Sequence, residues 1–209
     1  MARASRAVAE QHKAAIEAVS ARLVREHGLH GISVAQVMAD AGLTHGGFYG
    51  HFASKDELVA RACALAFEES AGRWQHRIDQ AHGDRQAARQ SLVDQYLTTA
   101  HRDAAGDGCA APALTGDVAR EASGKPVHAA YLQGLKTLLG LWESTAPDDD
   151  NGDDDENGGD AARGAALAEV AMLVGAMTMA RATRGDALSD ELLDAVRTRL
   201  LASAKPITA

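Results

Sequence analysis

The stretch SVAQVMADAGLTHGGFYGHFASKDE, residues 33–57, constrains local structure more tightly than any other part of the chain. Ser33 followed by Gln36 has the spacing of a capping box, in which each side chain satisfies a backbone donor orphaned at the helix start. Val34, Val37, Met38 and Ala41 then recur at helical spacing and leave Gln36, Ala39 and Asp40 on other faces. Gly42 can adopt the left-handed conformation that ends a helix without a Cβ clash. Leu43 is available to pack between two helices, and Thr44 is placed to cap the second. Ser54 with Glu57 repeats the capping box and opens a third helix. Two short helices joined by a glycine-containing turn make a helix-turn-helix, whose second helix can lie in the major groove of DNA.

The run AGLTHGGFYGHFASKDEL, residues 41–58, resembles the TetR family of bacterial transcriptional regulators. Gly42, Leu43, Thr44, Phe48, Tyr49, His51, Phe52, Ser54 and Lys55 fall in register on the family's pattern of small residue, Gly, aliphatic, Ser/Thr, aromatic pair, His-Phe and Ser-Lys. The resemblance is specific over roughly the first 55 residues; beyond them it rests on helical character and length. It implies an all-α protein of about nine helices, with an N-terminal three-helix helix-turn-helix domain and a larger C-terminal helical domain for ligand binding and dimerisation. The expected division is residues 1–54 and 55–209, with an acidic flexible loop at 146–160.

Composition agrees with an all-α chain. Alanine is abundant, only four prolines occur, and no stretch alternates for long with β-branched residues. Neither a basic leader with an apolar core nor an apolar run near the ~18 residues of a membrane span is apparent, so the expected location is cytoplasmic, with no membrane partner. Cys63 and Cys109 are too few for a disulfide framework and lack metal-ligand spacing. Neither a metal nor a cofactor is expected.

The net charge of −8 at first argues against nucleic acid, but residues 147–160 contain seven Asp and one Glu with no Lys or Arg, which accounts for the whole imbalance. From Met1 to Lys55 there are six Lys or Arg against four acids, and five of the nine histidines. The DNA-facing part is mildly basic, and only modest non-specific affinity is expected from it. Within the tract, Asp153, Asp155, Asn157 and Gly158 have the opening spacing of a calcium loop. The twelfth position is Gly164 where a bidentate Glu is needed, so a solvated loop is the expectation.

Helices are predicted over 7–27, 33–41, 44–51, 55–81, 84–101, 109–122, 126–145, 161–184 and 189–203. Arg3 and Arg6 precede the first as a short basic arm, able to reach a groove or phosphate or simply frayed. Thr44, Tyr49, His51 and Lys55 are suited to phosphate oxygens, and the family places such contacts at these positions. Ser33 and Gln36, at the start of the preceding helix, are similarly placed. Phe48 and Phe52 read as core residues that fix the helix against Val37 and Leu58. His45 is the one long polar side chain near the N-terminal end of the recognition helix able to meet base edges. Gly46, Gly47 and Gly50 weaken that helix and let the backbone approach DNA closely. Family members often carry a longer cationic residue at the position of His45, so part of the specificity is expected from DNA shape.

The resemblance implies two further features. The last two helices of each subunit form a four-helix dimer interface, here through Leu167, Val170, Val174, Met177, Leu192, Val196 and Leu200, and a homodimer reads a palindromic operator in double-stranded DNA. The larger domain binds a small-molecule effector that releases the repressor. The aromatic and soft residues Phe67, Trp74, Tyr96, Tyr131, Trp142 and Met172 are candidate lining residues, each equally readable as core. Cys109, after the glycine-rich break AGDG and near a helix N-terminus, is a candidate thiol for electrophile or oxidant sensing, with a small packed residue as the plainer reading; Cys63 reads as packing. A helical protein-interaction module is the alternative from another class. No paired catalytic carboxylates, HExxH, P-loop or nucleophile elbow indicates an enzyme.

Overall fold

The structure is a computed structural model that describes residues 2–146 and 156–202. Among the described residues it comprises α1 (Ala2–His27), α2 (Val34–Asp40), α3 (Lys55–Gln80), α4 (Arg85–Tyr96), α5 (Thr99–Asp103), α6 (Ala110–Arg120), α7 (Pro126–Glu143), α8 (Glu156–Ala182) and α9 (Ala187–Ala202). Two 3-10 helices, His45–Gly50 and Ala105–Asp107, complete the order, and no strand is present among these residues. The chain divides into two compact units, one formed by 1–70 with 105–135 and the other by 71–104 with 136–209. α3 and α7 each contribute to both.

In the first unit the apolar stripe of α1, with Ile16, Leu23 and Val24 buried, meets Val37 and Met38 of α2, and Phe48, Phe52 and Leu58 complete the core. Gly28, at φ +76, follows the end of α1, and its lack of a side chain is needed a second time: a Cβ there would overlap the Asp117 carboxylate. That carboxylate accepts the Leu29 N–H at 2.8 Å, which ties α6 to the segment just after α1. Arg25, 6% exposed, donates to the Gly106 carbonyl and pairs with Glu69 at 2.6 Å. Lys125 reaches Asp56 at 2.5 Å, which holds its ammonium above the usual lysine range. The elements of the predicted DNA-binding domain therefore pack into one unit with α6 and the start of α7.

In the second unit α8 lies along α9, and α4 packs on α9. Its centre is polar as well as aromatic. The Arg89 guanidinium stacks over the Trp142 ring at 4.2 Å and pairs with Glu169, while Trp142 Nε1 donates to the same carboxylate at 3.0 Å. A buried guanidinium is tolerable only with such partners. His101 presents Nδ1 to the Tyr96 carbonyl at 2.7 Å, and burial pushes its pKa down to about 4.

Several boundaries differ from prediction for local reasons. α1 begins at Ala2, so Arg3 and Arg6 belong to the helix instead of a free arm, and Arg6 pairs with Glu10 one turn on at 3.0 Å. The predicted helix 84–101 is two: Leu97 takes φ −91, ψ 62, and Thr98 starts α5 by accepting the His101 N–H at 3.1 Å. The segment 147–155 lies outside the described residues, and with it most of the predicted loop and both Asp153 and Asp155 of the calcium-loop pattern. The end of that predicted loop is helical, because α8 starts at Glu156.

α8 also departs from the reading of no long apolar segment. Residues Gly159–Ala182 are long and apolar enough to cross a membrane by length and composition; an 18-residue stretch within them has mean hydropathy 1.4, and 33% of that stretch is buried. Of the predicted interface residues, Leu167 is half exposed and Val174, Leu192 and Val196 are half-buried. Val170, Met177 and Leu200 are buried within the chain itself. Met179 and Leu188, absent from that set, are 49% and 47% exposed.

Candidate nucleic-acid interface

The turn between α2 and the first 3-10 helix follows from Gly42, which sits at φ +69. Its N–H bonds the Ala39 carbonyl at 3.0 Å and the Leu43 N–H returns to Met38 at 2.8 Å, satisfying the last carbonyls of α2. The two capping boxes form in part. Ser33 Oγ accepts the Gln36 N–H at 3.1 Å, but the Gln36 side chain donates to Asp40 at 2.5 Å and does not return to Ser33. Ser54 Oγ accepts the Glu57 N–H at 3.1 Å, and Glu57 reaches past Ser54 to the Ala53 N–H at 2.7 Å.

Residues 45–50 form a 3-10 helix where an α-helix over 44–51 was expected. Three of the six residues are glycine, each costing about 0.8 to 1 kcal/mol of α-helical propensity, and the segment closes i+3 bonds, Gly47 N–H to Thr44 at 3.0 Å and His51 N–H to Phe48 at 2.9 Å. What holds it is anchorage. Phe48 and Phe52 are 1% and 2% exposed and stack at 5.8 Å between ring centroids, as expected of core residues.

Around these anchors the remaining side chains point outward. Thr44 occupies the N-cap position but makes no side-chain capping bond, so its hydroxyl is left to an outside acceptor. His45, Gly46, Gly47 and Gly50 are exposed, and Tyr49, at 73% exposure, keeps only an edge contact with Phe48. Residues 41–54 contain no Asp or Glu. The nearby carboxylate of Asp40 is engaged by Arg22 at 3.3 Å and by Gln36. The surface around the 3-10 helix is thus compatible with a polyanion.

Lys55 is spent differently from the expectation of a phosphate contact alone. Its Nζ donates to the Ile32 carbonyl at 2.7 Å, tying the start of α3 to the residue before Ser33. Two residues of α1 meet the residues that directly follow the 3-10 helix. Lys13 places Nζ 5.6 Å from the Phe52 ring centroid, and the His12 ring meets the His51 ring edge-on at 6.2 Å. His12 stands one helical turn before the buried Ile16, so the phase of the inward stripe was the signal that could have placed it.

The six candidate lining residues and Cys109, seven in all, divide between the units. Phe67 and Tyr131 meet edge to face at 5.2 Å in the first, where α7 approaches so closely at Gly134 that a Cβ would overlap the Phe67 ring. Tyr131 also shares a 2.6 Å hydroxyl bond with Thr115. Cys109 is the N-cap residue of α6 and 3% exposed; Cys63 is fully buried, and burial pushes its thiol up to about 12. In the second unit Trp74 contacts Tyr96 at 5.9 Å and Trp142 at 6.1 Å, and Met172 is half-buried. None of the seven lines the cavity of about 180 Å³ bordered by His30, Lys55, Asp56, Glu121 and Lys125, or the groove of about 670 Å³ bordered by Gln75, Ile78, Asp84, Arg85 and Leu141.

The family described as bacterial regulatory proteins, tetR family, matches residues 16–62. No curated protein gives a significant match. Among solved structures, Escherichia coli NemR in its reduced form is similar over 90% of this chain and 94% of its own, with 17% identity and a TM-score of 0.72. A TetR-family regulator from Agrobacterium tumefaciens is similar over 93% and 98%, with 18% identity and a TM-score of 0.71. A TetR regulator from Legionella pneumophila covers 91% and 96%, at 16% identity and a TM-score of 0.72.

Proposed function

We propose, from a head that belongs to the tetR family and a whole-chain fold shared with solved regulators of that family, that this protein is a DNA-binding transcriptional regulator acting as a dimeric repressor. The observation that carries the reading is the acid-free, outward-facing set Thr44, His45 and Tyr49 on a 3-10 helix pinned from beneath by Phe48 and Phe52. Thr44, Tyr49 and His51 bind phosphates, His45 reads base edges, and the glycines Gly46 and Gly47 let the backbone approach the groove. Ser33 and Gln36 sit at the start of α2, where backbone donors favour a phosphate. Lys55 acts on DNA in part through the Ile32 bond that sets the position of α2. Two subunits joined through α8 and α9 read a palindromic operator in the cytoplasm. A small molecule bound by the helical body favours the conformation that cannot span the two half-sites, and the repressor leaves.

The test is a mobility-shift titration with duplex from the DNA flanking the protein's own gene. A salt-sensitive, sequence-selective complex of two subunits is expected. Tyr49→Phe is expected to weaken binding uniformly across sequences, whereas His45→Ala relaxes preference by about 1 to 3 kcal/mol at its base pair. Absence of any selective complex would overturn the regulator reading. Screening metabolites for release of the complex then identifies the effector.

A further inference from the structure

The face just described carries a pair of groups with a chemistry of their own. His12 of α1 and His51, the residue that ends the 3-10 helix, are both half-buried and meet edge to face at 6.2 Å between ring centroids. Their rings come from elements distant in sequence, so the pairing is a product of the fold. We propose that His12 is a DNA-contact residue that forms, with His51, a two-imidazole phosphate clamp, and that the protein takes up protons as it binds the DNA backbone. This rests on the DNA-binding reading and adds to it a residue and a linkage.

Imidazole changes charge near neutral pH, and its two nitrogens can both donate only in the cationic form. Two cationic rings side by side oppose one another; a phosphate held between them removes that opposition and favours the doubly charged state. The flanking charged groups leave the pair free for this role. On α1, Glu10 is engaged by Arg6 at 3.0 Å and Glu17 by Arg61 at 3.1 Å. At the start of α3, Asp56 is engaged by Lys125, Glu57 caps the Ala53 N–H at 2.7 Å, and Lys55 bonds the Ile32 carbonyl. Lys13 on α1 adds positive charge beside Phe52, and Tyr49 and His45 are the other titratable side chains on the 3-10 helix. The carboxylates on these elements are thus held by other partners, and an incoming phosphate supplies the counter-charge for the pair.

A phosphate contact is independent of sequence, so a random-sequence 40-base-pair duplex at low salt is a sufficient probe. Affinity of the full-length protein is measured by fluorescence anisotropy between pH 6 and pH 8.5. Each imidazole that takes up a proton contributes up to about a tenfold gain in affinity per pH unit on acidification. His12→Gln is expected to lose about half of that slope and to bind several-fold more weakly at pH 6, while converging with the wild type at pH 8.5. His45→Gln serves as the comparison for a histidine elsewhere on the same face. On the unsubstituted protein, imidazole resonances of both His12 and His51 are expected to titrate at higher pH with duplex present, which decides the matter even where His12→Gln folds poorly. A wild type that binds duplex with the slope of His12→Gln, or a His12 resonance unmoved by duplex, overturns this inference alone. A wild type that leaves the duplex unbound at every pH overturns the DNA-binding reading and the clamp with it.

Discussion

At the scale of single residues, the same side-chain type has very different uses depending on what surrounds it. His45 is exposed on the recognition segment, His12 and His51 pair at half-exposed positions, and His101 is tucked against Tyr96 with its ring centroid 4.6 Å from the tyrosine's. Burial is the main cause of the fall of His101 to about 4, partly countered by the Tyr96 carbonyl and reinforced by Arg181 and Arg73. Because the folded value lies below the ordinary 6.5, between those two values the unfolded chain binds a proton that the folded chain refuses. Stability is therefore expected to fall as pH drops through that window, by at most about 1.4 kcal/mol per pH unit from this group. Urea midpoints at pH 7.5, 6 and 5 measure the slope, and His101→Asn should flatten it; an unchanged slope would assign the acid sensitivity elsewhere. Lys55 carries a related lesson. Its sequence position marks it as a phosphate ligand by resemblance, yet its Nζ also satisfies a backbone carbonyl. Lys55→Ala is expected to lower stability by about 1 kcal/mol, in addition to weakening DNA binding uniformly.

At the scale of elements, the recognition segment shows local propensity yielding to anchorage. Three glycines in six residues would not hold an α-helix, and the two buried phenylalanines hold a 3-10 turn in its place. Gly46 and Gly50 have no positive φ, and nothing lies within 4 Å of where their Cβ atoms would sit. Neither glycine is required by the fold. Gly46→Ala is expected to stabilise the free protein by about 0.4 to 1 kcal/mol while weakening DNA binding, because the added methyl stands between backbone and groove. Thermal melts and mobility shifts on the same preparation check the two halves together; stronger binding would show that close backbone approach is not what the glycines provide. Gly134 is the opposite case, since a Cβ there meets the Phe67 ring, and Gly134→Ala is expected to destabilise by about 1 to 3 kcal/mol.

At the scale of the whole molecule, α8 is the element that bears on the proposed dimer. It carries an apolar stretch of which only 33% is fully buried within the chain, and Leu167 and Met179 stand about half exposed on it, with Leu188 at the start of α9. Exposed apolar area of this kind calls for a partner surface. A second copy of the same helices is the occupant in the proposed dimer. Leu167→Glu with Met179→Glu is expected to convert the dimer to monomer in light scattering, and to lower operator affinity by at least a hundredfold because two heads no longer bind as one. A double variant that remains dimeric would move the interface off this face, toward residues other than those two.

The sequence by itself determined what depends on neighbours along the chain. Capping residues, helical periodicity and the glycine at the end of α2 marked the start, face and end of the first helix of the pair, and the register from Gly42 to Lys55 carried the resemblance to the family whose model matches residues 16–62. Tertiary structure alone decided what depends on residues far apart. It tied Asp117 to the segment just after α1, placed Lys55 on a carbonyl, set His12 beside His51, and divided the candidate ligand residues between two units. It also sorted the predicted interface into Leu167, which faces outward, and Met177 and Leu200, which the fold has already covered. The physical reason is range. Caps and turns act within about four residues, whereas a side chain's burial and partner are set by whichever distant helix packs against it.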